Sequence, residues 1–254
     1  MTNESILEVK HLTVNDTVNP GSCLKDVSFS VRKNRVVGVI GAPASGNSLL
    51  LRAFNRLNEL SPNIHTSGEI LLQGENIAQL PAGELRRRIG MIFRTPKLFP
   101  HWDIYSNVLA GYKLCSIRLS QAEANRIVEE SLREVYLWDD LHNSLQCKPY
   151  VLTAGQQQCL CIARSLALVP EVLLMEEPAY ALDAIYTEKI RDIISRLSNK
   201  MTLIISTHHP SRMTKVADEV LFLEAGELVE YNTTSQIFLT PSDPRTELFI
   251  TTQI

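Results

Sequence analysis

The sequence predicts an α/β fold: a mostly parallel sheet covered on both faces, an antiparallel β edge layer and an inserted helical segment. Three observations predict it. Apolar runs within residues 36–40, 171–177 and 201–206 show no alternation, as strands buried on both faces do. Helical stretches lie between these runs, and strands separated by helices pair in parallel. Residues 24–31, Leu-Lys-Asp-Val-Ser-Phe-Ser-Val, instead alternate apolar and polar side chains, the pattern of a half-buried antiparallel strand.

In chain order, residues 6–14 read as a strand and 15–22, with Asn, Asp, Pro and Gly, as a loop. After the strands at 24–31 and 36–40 comes a glycine-containing loop, then a helix from about Ser48. Residues 67–74 read as a strand with a turn at each end, and the basic cluster Arg86-Arg87-Arg88 precedes an apolar run at 89–93. Residues 96–150 carry no strand pattern. Ser120 and Glu123 form a capping box there, and Ile127, Val128, Leu132 and Val135 follow at helical spacing. A helix is expected from Gly155 to about Leu168, a strand at 171–177 ending in Glu176 and Glu177, a helix at 183–197, and a strand at 201–206 leading into Thr207-His208-His209. Residues 1–254 are expected to form one domain, with 96–150 as a helical subdomain inside it.

Composition limits the function classes. The chain has 254 residues, is 44% hydrophobic and carries a net charge of −3, so a sizeable core is expected and a nucleic-acid partner is not. Its first residues predict no secretory leader. No apolar run approaches the ~20 residues that span a bilayer, so any membrane role is expected to be peripheral. The five cysteines are odd in number and match no metal spacing; Cys159 and Cys161 have one residue between them where zinc pairs have two or more.

The loop after residue 40 reads Gly41-Ala42-Pro43-Ala44-Ser45-Gly46-Asn47-Ser48, a G-x-x-x-x-G-x-S spacing between a strand and a helix. Its amides and the helix N-terminus behind it suit a phosphate, and Ser48 suits Mg²⁺. Taken alone, the spacing fits a plain strand-to-helix turn equally well. Glu176 and Glu177 stand at a strand's C-terminal end, where open α/β sheets bind ligands. One carboxylate can hold a metal there while the other activates water; alone, the pair also fits a solvated acidic turn. His208, beyond the strand at 201–206, is placed to reach a terminal phosphate, and His209 reads as a helix N-terminal residue.

The stretch Leu152-Thr153-Ala154-Gly155-Gln156 opens a helix some twenty residues before the carboxylates. With the loop, the carboxylates, Ala181-Leu182-Asp183 and His208, it resembles the nucleotide-binding domain of ATP-binding-cassette (ABC) proteins, in order and spacing across nearly the whole chain. The resemblance implies the P-loop ABC-type ATPase core. Residues 50–60, Phe99-Pro100, Ile104-Tyr105-Ser106-Asn107-Val108 and the triple glutamine at 156–158 are similar to phosphate-import ATP-binding subunits.

The resemblance implies ATP and Mg²⁺ as cofactors. It places nucleotide contacts at Gly41, Ala42, Pro43, Ala44, Ser45, Gly46, Asn47, Ser48, Leu49 and Arg94, and at Thr153, Gly155, Gln156 and Asp183. It places the metal at Ser48 and Glu176, and catalysis at Glu177 and His208. It also implies a head-to-tail dimer, in which each ATP lies between one subunit's loop and the other's signature. Membrane-spanning permease subunits, a substrate-binding protein acting indirectly, and a peripheral position on the cytoplasmic face of the cell membrane complete the picture.

The chain departs from that pattern at several positions. Asn47 stands where the family has lysine, Leu49 where it has Ser or Thr, Arg94 where it has glutamine, Glu176 where it has aspartate, Ala154 for a glycine and Cys159 for an arginine. Between His11 and Phe29 there is no aromatic residue to stack on adenine. Losing two charge-assisted lysine contacts, each worth roughly 1.5–3 kcal/mol, costs on the order of 10²- to 10⁴-fold in affinity or rate. The expectation is a weakened site in a chain that pairs with a more complete ATPase subunit. The alternative is an inactive pseudo-ATPase serving as a structural or regulatory module. A small-molecule P-loop kinase leaves Leu152 to Gln156 and the His208 loop without a role.

Overall fold

The computed structural model describes residues 5–19, 21 and 23–253. Four strands form one antiparallel sheet: β1 (Ser5–Asp16), β2 (Cys23–Arg32), and, beyond the first helix, β4 (Ile64–Leu72) and β5 (Glu75–Asn76), in the order β2-β1-β4-β5. Between them in sequence lie β3 (Val36–Ile40) and α1 (Asn47–Phe54). Then come α2 (Ala82–Arg88) and β6 (Ile89–Ile92), followed by a run of helices: α3 (Ile104–Val108), α4 (Ala110–Leu114), α5 (Gln121–Glu134), α6 (Trp138–Leu141) and α7 (Ala154–Leu166). The chain continues through β7 (Val172–Glu176), α8 (Ala184–Leu197), β8 (Thr202–Thr207), the hairpin of β9 (Glu219–Glu224) and β10 (Glu227–Thr233), α9 (Thr234–Leu239) and α10 (Pro244–Gln253).

The second sheet has the order β10-β9-β3-β8-β7-β6, parallel throughout except for the β9–β10 hairpin. The expected parallel sheet and separate antiparallel layer are both present. The sequence pattern predicts no strand beyond residue 206. Yet β9 pairs in parallel with β3, Val37 opposite Glu219 and Ile40 opposite Phe222, and so completes the sheet on the side away from β8.

Each parallel strand feeds two cores, because successive side chains point to opposite faces. Val36, Ile40, Leu173, Met175, Leu203 and Ile205 join a core with α5, α7 and α8. Val37, Val39, Leu174, Ile204 and Leu221 join the other, between the two sheets and around α1. There Leu50, Leu51 and Phe54 are fully buried, each contributing about 1.5–3 kcal/mol. Arg32 of β2 pairs with Glu219 of β9, and the Tyr231 hydroxyl donates to the same carboxylate at 2.6 Å, tying one sheet to the other.

Helix ends follow their sequence signals. Ser120 caps α5 in the expected capping box with Glu123. Thr153 caps α7 in a second box with Gln156: the Gln156 amide donates to the Thr153 hydroxyl at 3.3 Å, and the Thr153 amide donates to Gln156 Oε1 at 2.9 Å. Asp183 caps α8 by accepting from the Tyr186 amide at 2.8 Å. His209 stands at the N-cap of a short 3-10 turn, Pro210–Arg212, in keeping with its reading as a helix N-terminal residue.

Candidate functional site

The strand order β3-β8-β7-β6 puts four C-terminal strand ends side by side. The loop 41–48 follows β3, His208 follows β8, Glu176 ends β7 and Arg94 follows β6. This is the edge at which open parallel sheets bind ligands.

The loop is held by close approaches that side chains would block. A Cβ on Gly41 would lie 2.4 Å from the Leu223 carbonyl oxygen and from Ser45 Oγ. Gly46 sits at φ +106, a conformation open to glycine. The Gly226 amide donates to the Ser45 carbonyl at 3.1 Å, so the β9–β10 turn braces the loop. Ala42, Pro43 and Ala44 are exposed, whereas Gly41, Ser45, Gly46, Asn47 and Leu49 are buried and Ser48 is half-buried.

Asn47 is the first residue of α1 and is 3% exposed. Its Oδ1 accepts from Ser45 Oγ at 3.1 Å, and its Nδ2 is buried with no partner among the described residues. An orphaned buried donor carries an unmet hydrogen bond worth about 1–3 kcal/mol, so a phosphate oxygen suits the site. The loop therefore fits a phosphate group, with a neutral donor where the family pattern has a cation.

The carboxylates are each engaged. Ser48 Oγ donates to Glu176 Oε1, and Arg52 Nη2 lies 3.7 Å from Glu176 Oε2. Glu177 follows β7 at φ +44, a left-handed conformation costing on the order of 1–3 kcal/mol in a non-glycine residue. Its Oε1 accepts from the His208 amide at 2.5 Å and its Oε2 from the Thr207 hydroxyl at 3.2 Å, while Arg212 Nη1 stands 3.6 Å from Oε2. His208 Nδ1 lies 2.8 Å from the Gly41 carbonyl oxygen.

Among the described residues Arg94 meets no carboxylate. Its guanidinium lies over the Tyr180 ring, 3.5 Å from the centroid. Gln158 of α7 donates to the Phe93 carbonyl at 3.0 Å, which fixes the residue before it. Thr153, Gly155 and Gln156 stand at the start of α7, and among the described residues no hydrogen bond or ion pair joins them to the loop. Gly155 is covered by Tyr186, whose ring carbons would lie 2.2–2.6 Å from a Cβ there. Cys159, in place of an arginine, is fully buried, and burial pushes its thiol up to about 12. Arg52, Tyr180, Tyr186 and Arg212 all touch the expected site residues, and none was among those expectations.

The profile of a family described as "ABC transporter" matches residues 24–180, more than half of the chain. The chain belongs to the ABC transporter family. Such family members bind ATP, typically with Mg²⁺, and work with membrane permease subunits. A protein of Tropheryma whipplei (strain Twist) named "Phosphate import ATP-binding protein PstB" is 40% identical to this ABC chain over 252 residues, covering 97% of each. A Bacillus cereus protein of the same name is 42% identical over 230 residues, 90% of this chain and 84% of that one. Among solved structures, CbiO1 of Clostridium perfringens, titled part of the ABC transporter complex CbiONQ, superimposes with a TM-score of 0.78 over 93% of this chain and 92% of its own. At 24% identity that likeness establishes the fold alone. Among the described residues no helix is long and apolar enough to cross a membrane, and no cluster of three or more His, Cys, Asp or Glu side chains suits a metal.

Proposed function

We propose that this chain is the ATP-binding subunit of a phosphate importer, peripheral on the cytoplasmic face of the cell membrane, whose own phosphate-loop site is weakened. It pairs with a second, lysine-bearing ATPase subunit and with membrane-spanning permease subunits, and a substrate-binding protein delivers the cargo. The cargo assignment rests on the names of the relatives. The weakened site rests on one observation: at the phosphate loop, Asn47 is buried and turned onto Ser45, so a neutral amide stands where the family pattern puts a cation.

ATP would supply the phosphoanhydride bond that water cleaves. The amides of Ala42 and of Ala44 to Ser48, with Asn47 Nδ2, would hold phosphate oxygens, and Ser48 with Glu176 would hold Mg²⁺. Glu177 would orient and polarise the attacking water, and His208 would contact the terminal phosphate. Thr153, Gly155 and Gln156 serve the partner's nucleotide across the dimer. The capping box between Thr153 and Gln156 keeps that helix start ordered, so this half of the site is damaged less than the loop half.

Residues 1–254 act as one nucleotide-binding domain, with 96–150 as its helical subdomain. A groove of about 430 Å³ lies between the two parts, lined by Arg87, Met91, Phe93, Phe99, Leu114 and Leu168 among others. It receives the permease. Trp102 stacks on Phe99 at 4.6 Å and extends this surface, whereas Tyr105 packs partly into the larger core and bonds Asn125.

Equilibrium binding of labelled ATP to the purified chain, with and without Mg²⁺, tests the reading alongside turnover of the chain alone and with a lysine-bearing partner. Weak binding and slow hydrolysis by the chain alone, with faster hydrolysis in the pair, are expected. Rapid hydrolysis by the chain alone sinks the heterodimer reading.

A further inference from the structure

We infer that Arg212 is a positioning residue that restrains Glu177, holding its carboxylate against the β8 end and away from water activation in the resting chain. The inference rests on the reading of Glu177 as the water-orienting carboxylate and adds a residue that this reading does not contain.

Glu177 is 5% exposed, and every strong interaction of its carboxylate is made on the β8 side. Oε1 takes the His208 amide hydrogen; Oε2 takes the Thr207 hydroxyl hydrogen and faces Arg212 Nη1 at 3.6 Å. Among the described residues Arg212 is the one cationic side chain within ion-pair distance of Glu177. Arg191 lines the same small cavity beside Glu177, but it is paired with Glu188 at 2.8 Å.

Arg212 is held in place by its own segment. Pro210 opens the 3-10 turn, the Arg212 amide donates to the His209 carbonyl at 3.1 Å, and the Met213 amide donates to the Pro210 carbonyl at 2.8 Å. Met213 is buried against Gly38 of β3, where a Cβ would come within 2.9 Å of it. The turn that carries Arg212 is therefore anchored to the central strand of the sheet through Met213. A carboxylate acts on water through lone pairs free of other partners; here a cation and two donors already engage both oxygens. Releasing the cation leaves the two neutral donors, from which the carboxylate swings more readily toward water.

The test uses the full chain with Arg212→Gln, Arg212→Lys, Glu177→Gln and the double variant Arg212→Gln/Glu177→Gln. Three quantities are read: ATP affinity by equilibrium binding, steady-state kcat and KM, and hydrogen exchange of the His208 amide in the nucleotide-free protein. The partly exposed ion pair sets the expected scale: Arg212→Gln raises kcat about two- to fivefold at unchanged KM and speeds His208 amide exchange by a similar factor. Arg212→Lys stays at the parent rate, and the gain disappears in the double variant. An unchanged or undetectable kcat in Arg212→Gln overturns the inference, as does a gain that survives in the double variant. Faster His208 exchange without a gain in kcat places the failure on Glu177's role in hydrolysis, and unchanged exchange places it on the restraint itself.

Discussion

His208 Nδ1 lies 2.8 Å from the carbonyl oxygen of Gly41, so the residue after β8 is tethered to the first residue of the phosphate loop. A carbonyl oxygen only accepts, so Nδ1 carries the hydrogen. Such a hydrogen bond is worth about 0.5–1.5 kcal/mol, so His208→Ala is expected to speed amide hydrogen exchange in the loop 41–48 about two- to tenfold. Unchanged exchange across the loop refutes the tether's role.

Restoring the cation should recover only part of ATP binding. Asn47→Lys gains one or two charge-assisted contacts, on the order of 10- to 10⁴-fold in affinity. The absent adenine-stacking aromatic and the Arg94–Tyr180 pair remain unchanged. The isolated parent should turn over well below ~1 s⁻¹, the low end of ordinary enzymes. A parent rate at or above that value, abolished by Glu177→Gln, contradicts the weakened loop.

Gly155 should tolerate no side chain while Tyr186 is present. A Cβ at 2.2 Å from a ring carbon must displace the ring, and overpacking of this kind costs about 1–3 kcal/mol. Denaturant midpoints of Gly155→Ala, Tyr186→Ala and the double variant form a cycle in which the double recovers most of the loss. Additive losses would show that Tyr186 is not what excludes the side chain.

With Tyr186→Ala present throughout, the proposed heterodimer, once reconstituted, can report which half of this chain serves hydrolysis. Gly155→Glu is expected to abolish turnover, because in the proposed pairing the signature faces the partner's nucleotide, and Glu177→Gln to reduce it much less. Equal losses would remove the directional arrangement. A larger loss from Glu177→Gln would place hydrolysis in this chain's own site.

Thiol chemistry should divide the cysteines by burial. Cys159 has its thiol pushed up to about 12 by desolvation, so below that pH it remains the unreactive neutral form, and Cys161 is raised in the same direction for the same reason. Cys115 and Cys147 are exposed. Peptide mass spectrometry after brief iodoacetamide treatment should find label at Cys115 and Cys147 in the native protein, and at Cys159 and Cys161 only after unfolding. Native labelling of Cys159 would mean that α7 is not packed as described.

Local signals carried much of the architecture. The strand at residues 36–40, the two carboxylates ending β7 and the Ser120–Glu123 capping box are each written within a few neighbouring residues, because burial, turn chemistry and capping act over one strand or one helical turn. The Thr153–Gln156 box is equally legible, since T-x-x-Q before an apolar run is a capping signal, and it places the helix start at Ala154, one residue before the Gly155 start that the apolar pattern predicts. The substitutions at residues 47, 94 and 159 were visible from the chain alone, as changes of charge at fixed spacing.

What they touch was decided by tertiary structure. Arg94 and Tyr180 lie 86 positions apart in the numbering and meet only because β6 and β7 are neighbours in the sheet. Arg212 reaches Glu177 because β8 runs beside β7, and Tyr186 covers Gly155 because α8 packs against α7. The place of β9 beside β3 was likewise out of reach, since parallel pairing joins segments far apart in sequence and leaves no local periodicity to announce its partner. The sequence determined which chemical groups the chain owns and which strands and helices carry them. The order of strands in the sheet, a cooperative outcome of burying both faces at once, decided which of those groups face one another.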